Sequence, residues 1–409
     1  MAVQRVLICG SGIAGTVLAY WLGKHGFDVV ILERSRSESQ QGQIIDVEGP
    51  AQEVVKKMSL LDQLKAKTTH EAGLSFVDSS NTTFASIPAG ATNVSNEIEI
   101  MRPALVSTLL DAATSFPNVS VRYGCTVSNL EQTSSNVKAT IEHVQSSGAR
   151  TTTETFDIIV AADGLRSKTR DLILPTQIAK SCVVSIKAFC AFFSIPVEPQ
   201  DQPNARFYSM SGRRGALIKP LNDKSSSAYM TQAKFGQDLH IAQKSRDSQQ
   251  QKEVMASRFR GQGWECDRLV DAMFKADNFY FEELSQVYLD KWSYGRCALL
   301  GDTAYAPSPL TGEGTNLAIV GAYVLAWALV QHAKEDSPDV AFVDYEKRFR
   351  PYVDKTQPIP LGGYLPLLVN PDTTWGIWIL RTLLSWVCWL QVWKYIPVLQ
   401  KKSFELPEM

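Results

Sequence analysis

The residues best placed to do chemistry lie in three short glycine-containing stretches, the first and third of which read as nucleotide-binding turns. In Gly10-Ser11-Gly12-Ile13-Ala14-Gly15, flanked by the apolar runs Val6-Leu7-Ile8-Cys9 and Val29-Val30-Ile31-Leu32, each glycine has a separate use. Gly10 permits a tight turn, Gly12 lets the backbone approach a pyrophosphate, and Gly15 lets helix and strand pack closely. Glu33 ends the second run, where an acid can accept from an adenosine ribose. The second stretch is Asp163-Gly164 in AADGLRSKTR, an acid-glycine pair just beyond a buried strand; on its own this pair reads better as an ordinary turn than as a ligand site. The third, RCALLGDTAYAPSPLTGEGTNLAIVG, runs from Arg296 and places Asp302 after a buried strand and Gly312 and Gly314 before an apolar helix. Asp302 could accept from a polyol hydroxyl, while the two glycines leave room for a ring and an anion-facing helix end. Arg102, at a loop-to-helix junction, reads either as an anion-binding cation or as a surface charge. No Ser/His/Asp arrangement, metal-ligand spacing or P-loop stands out among the five histidines.

Strand, glycine turn, helix, strand and acid follow one another from Arg5 to Arg34, which predicts a βαβ dinucleotide-binding unit. Apolar spacing predicts a helix from Pro50 to Lys65 and another from Ala104 to Ser115, with strands at 72–87, 119–123, around 132–139 and at 156–161. From Cys182 to Gln232 short apolar runs separated by turn residues predict an antiparallel sheet with little helix between strands. Helices are expected at 249–260 and 267–275, and a returning strand at 284–289. The 409 residues carry 41 basic and 42 acidic side chains, a balance that gives no electrostatic footprint for nucleic acid. Seven scattered cysteines read as buried thiols in a reducing compartment, and the first strand begins too near Met1 for a cleavable leader, so a cytoplasmic location is expected. The Trp-rich stretch 375–393 admits three readings: a helix buried across both domains, an interfacial anchor giving peripheral membrane association, or a membrane span.

Together the three motifs make the chain resemble the single-component FAD-dependent aromatic monooxygenases, the family of para-hydroxybenzoate hydroxylase. It looks closest to the tetracycline-modifying and fungal secondary-metabolite branches, and the match covers roughly residues 4 to 330. The resemblance implies an α/β fold with a Rossmann-type FAD-binding domain (1–75, 97–180 and 285–335) interleaved with an antiparallel-sheet substrate domain (76–96 and 181–284), plus a C-terminal helical segment (336–409). It places Glu33 on the adenosine ribose, Arg102 and Asp302 on the pyrophosphate and ribityl region, Asp163 and Gly164 beside flavin and nicotinamide nucleotide, Asp46 as a flavin contact, and Pro309 to Gly314 against the isoalloxazine. The implied reaction uses NAD(P)H, with NADPH favoured, and O₂ to form a flavin C4a-hydroperoxide that oxygenates an aromatic or polyketide-like small molecule. Dehydrogenation, Baeyer-Villiger oxidation and a flavin-fold binding protein are the alternatives. The assembly is expected to be a monomer or a homodimer.

Phe192, Phe193, Tyr208, Met230 and Gln232 are candidate pocket residues, with Arg206 a candidate substrate anchor or base partner. Three positions depart from the family pattern. Tyr305 stands where members often have histidine, Gly321 where they have an acid, and Ser39 near a nicotinamide-binding arginine, a role that Arg34 and Arg36 are candidates to fill.

Overall fold

A computed structural model describes residues 4–38, 42–69, 73–88, 98–143, 150–201, 203–234, 236–359, 365–392 and 403–409. Its first sheet has Arg5–Cys9 at the centre, parallel to Asp28–Glu33 on one side and to Ile158–Ala161 on the other. Val119–Tyr123 extends one flank and Cys297–Leu299 the other, both parallel, and Ser293–Tyr294 closes an edge antiparallel. The central strands are continuous apolar runs because both faces are covered. Ile13–Lys24 packs with Arg102–Thr114 and Gly314–Gln331, while Val127, Ala139, Ile141 and Phe156 of a three-stranded antiparallel sheet join the same core. Among the described residues, Gly314–Gln331 is the one helix long and apolar enough to cross a membrane, but 78% of it is buried, as in a core helix.

The second sheet has seven strands in the spatial order Tyr280–Val287, Val183–Pro196, Ser225–Ala233, Arg214–Pro220, Ala205–Met210, Gly73–Val77, Thr83–Pro88. Neighbours run antiparallel except that Gly73–Val77 pairs parallel to Ala205–Met210. Because side chains alternate across a strand, each strand divides its residues between two faces. Phe189, Ala191, Phe193, Ala228 and Met230 meet Leu239, Met255, Phe259 and Leu269 from the helices Gln237–Ser245, Ser248–Phe259 and Cys266–Lys275. The alternate residues Cys190, Phe192 and Tyr229 face the other way, towards Leu310.

Several local expectations change. The 50–65 helix is two, Pro50–Lys57 and Leu61–Lys65, broken at Ser59, whose φ of 61° no helix accommodates. The 132–139 region is a hairpin bend between Cys125–Gln132 and Val137–His143, closed by Thr133 N–H donating to Asn136 O at 2.8 Å. The helix Gln237–Ser245 had no clear signal, and the returning strand starts earlier, at Tyr280. All seven cysteines are free, and six are buried.

The C-terminal segment is partly helical: Asp339–Thr356, Leu365–Val369 and Thr374–Trp389 are helices, but 403–409 has no regular secondary structure and packs on the first core through Phe404, Leu406 and Met409. The reading of 375–393 as a buried helix is corrected: no described residue of Thr374–Trp389 is buried. The helix lies on Thr83–Pro88, held by Ser385 Oγ donating to Phe84 O (3.2 Å) and by Arg381, which pairs with Asp78 at 3.3 Å and covers the Phe84 ring. Arg381 therefore serves the protein side, and Trp375, Trp378, Leu383, Trp386 and Trp389 point outward. Residue 393 lies outside the described residues.

One surface contact links stability to pH. His332 caps Gly314–Gln331, with Nδ1 at 2.7 Å from Glu335 and Nε2 at 2.9 Å from Asp344, and these hydrogen bonds, Glu335 first, raise its pKa. A raised pKa contributes stability that is full below the unfolded value near ~6.5 and is lost as pH rises through the folded value. His332→Gln should therefore cost up to about 1 kcal/mol at pH 5.5 and less at pH 8.5. Thermal melts at both pH values test this, and an equal loss at both would contradict the linkage.

Candidate active site

The carboxyl ends of the parallel strands converge on one crevice. Gly10 ends the first strand with φ 109°, and a Cβ there would stand 2.5 Å from Ala162 O. Gly15 is packed as tightly, since its Cβ would lie 2.1 Å from Gly10 O. Gly12 is open: the nearest atom to a Cβ there is a guanidinium nitrogen of Arg102, 4.0 Å away. Free backbone N–H groups at a helix N-terminus, an uncrowded glycine and an exposed guanidinium suit a pyrophosphate. Glu33 reaches the same turn, accepting from Ser11 N–H at 3.2 Å, Ser11 Oγ at 3.0 Å and Ser35 N–H at 2.8 Å. Asp302 opens into the crevice from the adjacent strand end; the surrounding protein raises its pKa and Arg102 opposes that shift.

Asp163 has a different immediate task from the one expected. Its carboxylate caps the helix Lys168–Ile173, accepting from Thr169 N–H at 3.1 Å and Thr169 Oγ1 at 3.0 Å, and also from Ser167 Oγ. Gly164 N–H donates to Thr303 Oγ1 at 2.9 Å, and buried Arg170 donates to Thr303 O and Leu165 O. The Asp163-Gly164 turn is thus tied to the Asp302 turn across two strands through Thr303 and Arg170. Neither residue stood out in the sequence, because the contacts that join the two turns, Gly164 to Thr303 and Arg170 to Thr303, span more than a hundred positions.

Asp46 lies on the short strand Ile44–Asp46, paired with Glu99–Met101. The residue two beyond, Glu48, donates its N–H to Asn316 Oδ1 at 3.0 Å, which sets this strand beside the start of Gly314–Gln331. Pro309–Thr311 forms one 3-10 turn ending at Gly312 with φ 71°, and nothing lies within 4 Å of a Cβ there. Two of the departures prove to be one change. A Cβ at Gly321 would lie 2.1 Å from the Tyr305 hydroxyl, so Tyr305 fills the space that Gly321 leaves, and its hydroxyl meets that of Tyr345 at 3.1 Å. Ser39 falls outside the described residues, while Arg34 and Arg36 are exposed beside Glu33.

The substrate-side expectations need correction. Arg206, Tyr208 and Gln232, like Phe193 and Met230, lie on the helix-covered face of the second sheet. Arg206 is 1% exposed and paired with Asp201, Glu265 (3.7 Å) and Asn81 (3.0 Å). Tyr208 donates to Gln262 O at 3.0 Å, and Gln232 donates to Gly212 O at 3.0 Å and Ala233 O at 2.8 Å. The opposite face of the central strands is different. Phe192, Phe207, Leu217, Lys219 and Tyr229 sit mid-sheet yet stay half-buried, as residues lining a recess do. Lys219 Nζ is 2.8 Å from Glu99 Oε1, which also accepts from Thr69 Oγ1 at 3.0 Å. Enclosure pushes the Tyr229 pKa up to about 12 despite Lys219.

A βαβ glycine turn, an acid at the next strand end and a second glycine turn opposite a recessed sheet define an FAD-binding redox protein. The chain belongs to the family described as "FAD binding domain", which matches residues 4–357. Monooxygenase CTB7 of Cercospora beticola is 39% identical over 416 residues, spanning 99% of this chain and 97% of that relative. The FAD-dependent monooxygenase asL4 of Sarocladium schorii is 30% identical across 95% of this chain and 92% of its own. The crystal structure of tetracycline destructase Tet(55) superposes with a TM-score of 0.78 at 27% identity, covering 100% of this chain and 99% of that one. The chain is an FAD-dependent monooxygenase of the para-hydroxybenzoate hydroxylase fold.

Proposed function

We propose that this monooxygenase takes reducing equivalents from NAD(P)H, NADPH favoured, and uses O₂ to oxygenate an aromatic or polyketide-like small molecule, with hydroxylation the favoured outcome. The observation that carries this reading is the half-buried face of Phe192, Phe207, Leu217 and Tyr229, of which Phe192 and Tyr229 join the same apolar cluster as Leu310, in the turn expected beside the flavin. FAD, when bound, would supply hydride acceptance and oxygen activation. The chain's own task is to bind, orient and exclude water. Gly10, Gly12, Gly15, Glu33 and Arg102 would hold the dinucleotide, Asp302 the ribityl region, and Pro309, Gly312 and Gly314 the ring edge, with Asp46 on the facing strand and Asp163-Gly164 bracing the crevice. Exposed Arg34 and Arg36 support the preference for a 2′-phosphate. Lys219 and Tyr229 give the apolar recess a polar end that suits a phenolic or enolic oxygen.

The test is product mass after turnover with NADPH, O₂ and a panel of phenols and polyketides. A gain of one oxygen supports the reading, and product structure then separates hydroxylation from ring insertion. Loss of two hydrogens would replace it with dehydrogenation. Peripheral membrane association through 375–393 is supported by the outward tryptophans alone. Flotation of the full chain with phosphatidylcholine vesicles should fall several-fold in Trp378→Ser/Trp386→Ser, and no flotation of the parent would remove the proposal.

A further inference from the structure

The turn that carries Pro309, Gly312 and Gly314 leaves the first core through Ala306-Pro307-Ser308, and two buried glutamines hold that approach. Gln286 comes from the second sheet, and Gln357 caps Asp339–Thr356; both are almost wholly buried. Gln286 Nε2 donates to Pro307 O at 3.0 Å and to Gln357 O at 2.8 Å. Gln357 Nε2 donates to Ala306 O at 3.1 Å and to Val287 O at 2.5 Å. Ala306 O also accepts from Val287 N–H at 3.0 Å, and Gln286 Oε1 accepts from the Tyr288 hydroxyl at 3.1 Å. Both protons of each amide are used, so sheet, helix and turn are fixed to one another.

What the clamp restrains is the next residue. Ser308 has φ 74° and ψ 145°, a backbone region that residues with a side chain adopt only when their surroundings force it. It is buried, and its hydroxyl has no hydrogen-bond partner among the described residues. Its neighbours Pro307 and Pro309 have no N–H to anchor it. Downstream, Ser308 O accepts from Thr311 N–H at 3.1 Å and Thr311 Oγ1 at 3.0 Å, so its orientation sets the path of the 3-10 turn and of Gly312. Swinging Ser308 to relaxed dihedrals would turn the Pro307–Ser308 peptide plane, and with it the Pro307 carbonyl, away from Gln286 Nε2 unless the neighbouring residues also moved.

We propose that Gln286 and Gln357 are positioning residues for the flavin, acting through the strained backbone of Ser308 to preset the Pro309–Gly314 turn. The inference rests on the reading that this turn lies against the flavin ring. Neither glutamine touches the reacting atoms; each acts through the turn. It also makes the second sheet and the helix Asp339–Thr356 part of the cofactor site.

The experiment compares Gln357→Leu, Gln286→Met, Ser308→Gly and Gln357→Leu/Ser308→Gly by FAD dissociation constant, flavin midpoint potential and thermal unfolding of the apoprotein. Gln357→Leu and Gln286→Met should each weaken FAD by about tenfold, the scale of one lost buried hydrogen bond. Glycine takes the Ser308 conformation without strain and removes the unpartnered hydroxyl. Ser308→Gly should therefore return the Gln357→Leu affinity to within about threefold of the parent. Parent-like affinity and potential in Gln357→Leu and Gln286→Met, with a lower apoprotein melting temperature, would overturn the proposal in favour of simple helix docking. So would a double variant that recovers nothing. Gly312→Ala separates the underlying reading: unchanged FAD affinity and spectrum there would mean that the turn does not meet the flavin at all.

Discussion

Gly10→Ala is expected to abolish FAD occupancy, lowering affinity by about 100-fold or more, equivalent to roughly 3 kcal/mol. Two costs combine. A φ of 109° is strained for any residue with a Cβ, and that Cβ would lie 2.5 Å from Ala162 O and 2.9 Å from Asp163 Cα, both backbone atoms. Those atoms cannot retreat cheaply, because Ala162 N–H is bonded to Cys9 O at 2.8 Å and Gly10 N–H to Leu32 O at 2.8 Å. Relief would separate the strand ends that form the crevice. Gly26→Ala is the matched control: φ is also positive, 84°, but nothing lies within 4 Å of its Cβ. That variant should lose about 1 kcal/mol of stability and keep FAD. The FAD-to-protein ratio of purified variants and an FAD titration check both outcomes, and normal occupancy in Gly10→Ala would contradict the geometry.

Arg206→Ala is expected to act on stability and not on substrate. The guanidinium is buried against Asp201 and Asn81, with Glu265 at 3.7 Å and the Trp264 ring 5.7 Å from its carbon. Removing one member of such a network leaves buried acceptors with fewer donors, a change that costs about 3–5 kcal/mol when the remaining charge has no other partner. Asp201 retains Arg268 at 2.7 Å, so the lower end of that range applies. Urea unfolding should show a lower midpoint, while the substrate KM of the folded fraction stays within about twofold because Arg206 lies behind the sheet. Unchanged stability with a much larger KM would restore the substrate-anchor role.

The cofactor motifs were legible because each is a backbone requirement written in local sequence. Gly10 needs its positive φ, Gly15 its close packing and Gly12 its open space, and no distant residue alters those needs. The recessed face of the second sheet was not legible for a definite reason. Phe192 and Phe193 are adjacent and both apolar, yet Phe193 meets the covering helices while Phe192 lies on the opposite face with Leu310. Alternation separates the faces without saying which is which. The same limit explains Arg206, whose partner Asn81 is 125 positions away, and Lys219, whose partner Glu99 lies on a different sheet. Gln286 and Gln357 carry no periodic signal at all, since their role exists only where two elements and a turn meet. Tyr305 and Gly321 looked like two losses in the sequence, whereas the fold makes them a single exchange of volume.

Flavin-dependent redox chemistry is read from one cuvette of purified protein: its absorbance spectrum, then NADPH without oxygen, then air. The expected result is flavin bands that bleach with NADPH and return on aeration. Protein that shows no flavin bands, and gains none after FAD is supplied and excess removed, would contradict it.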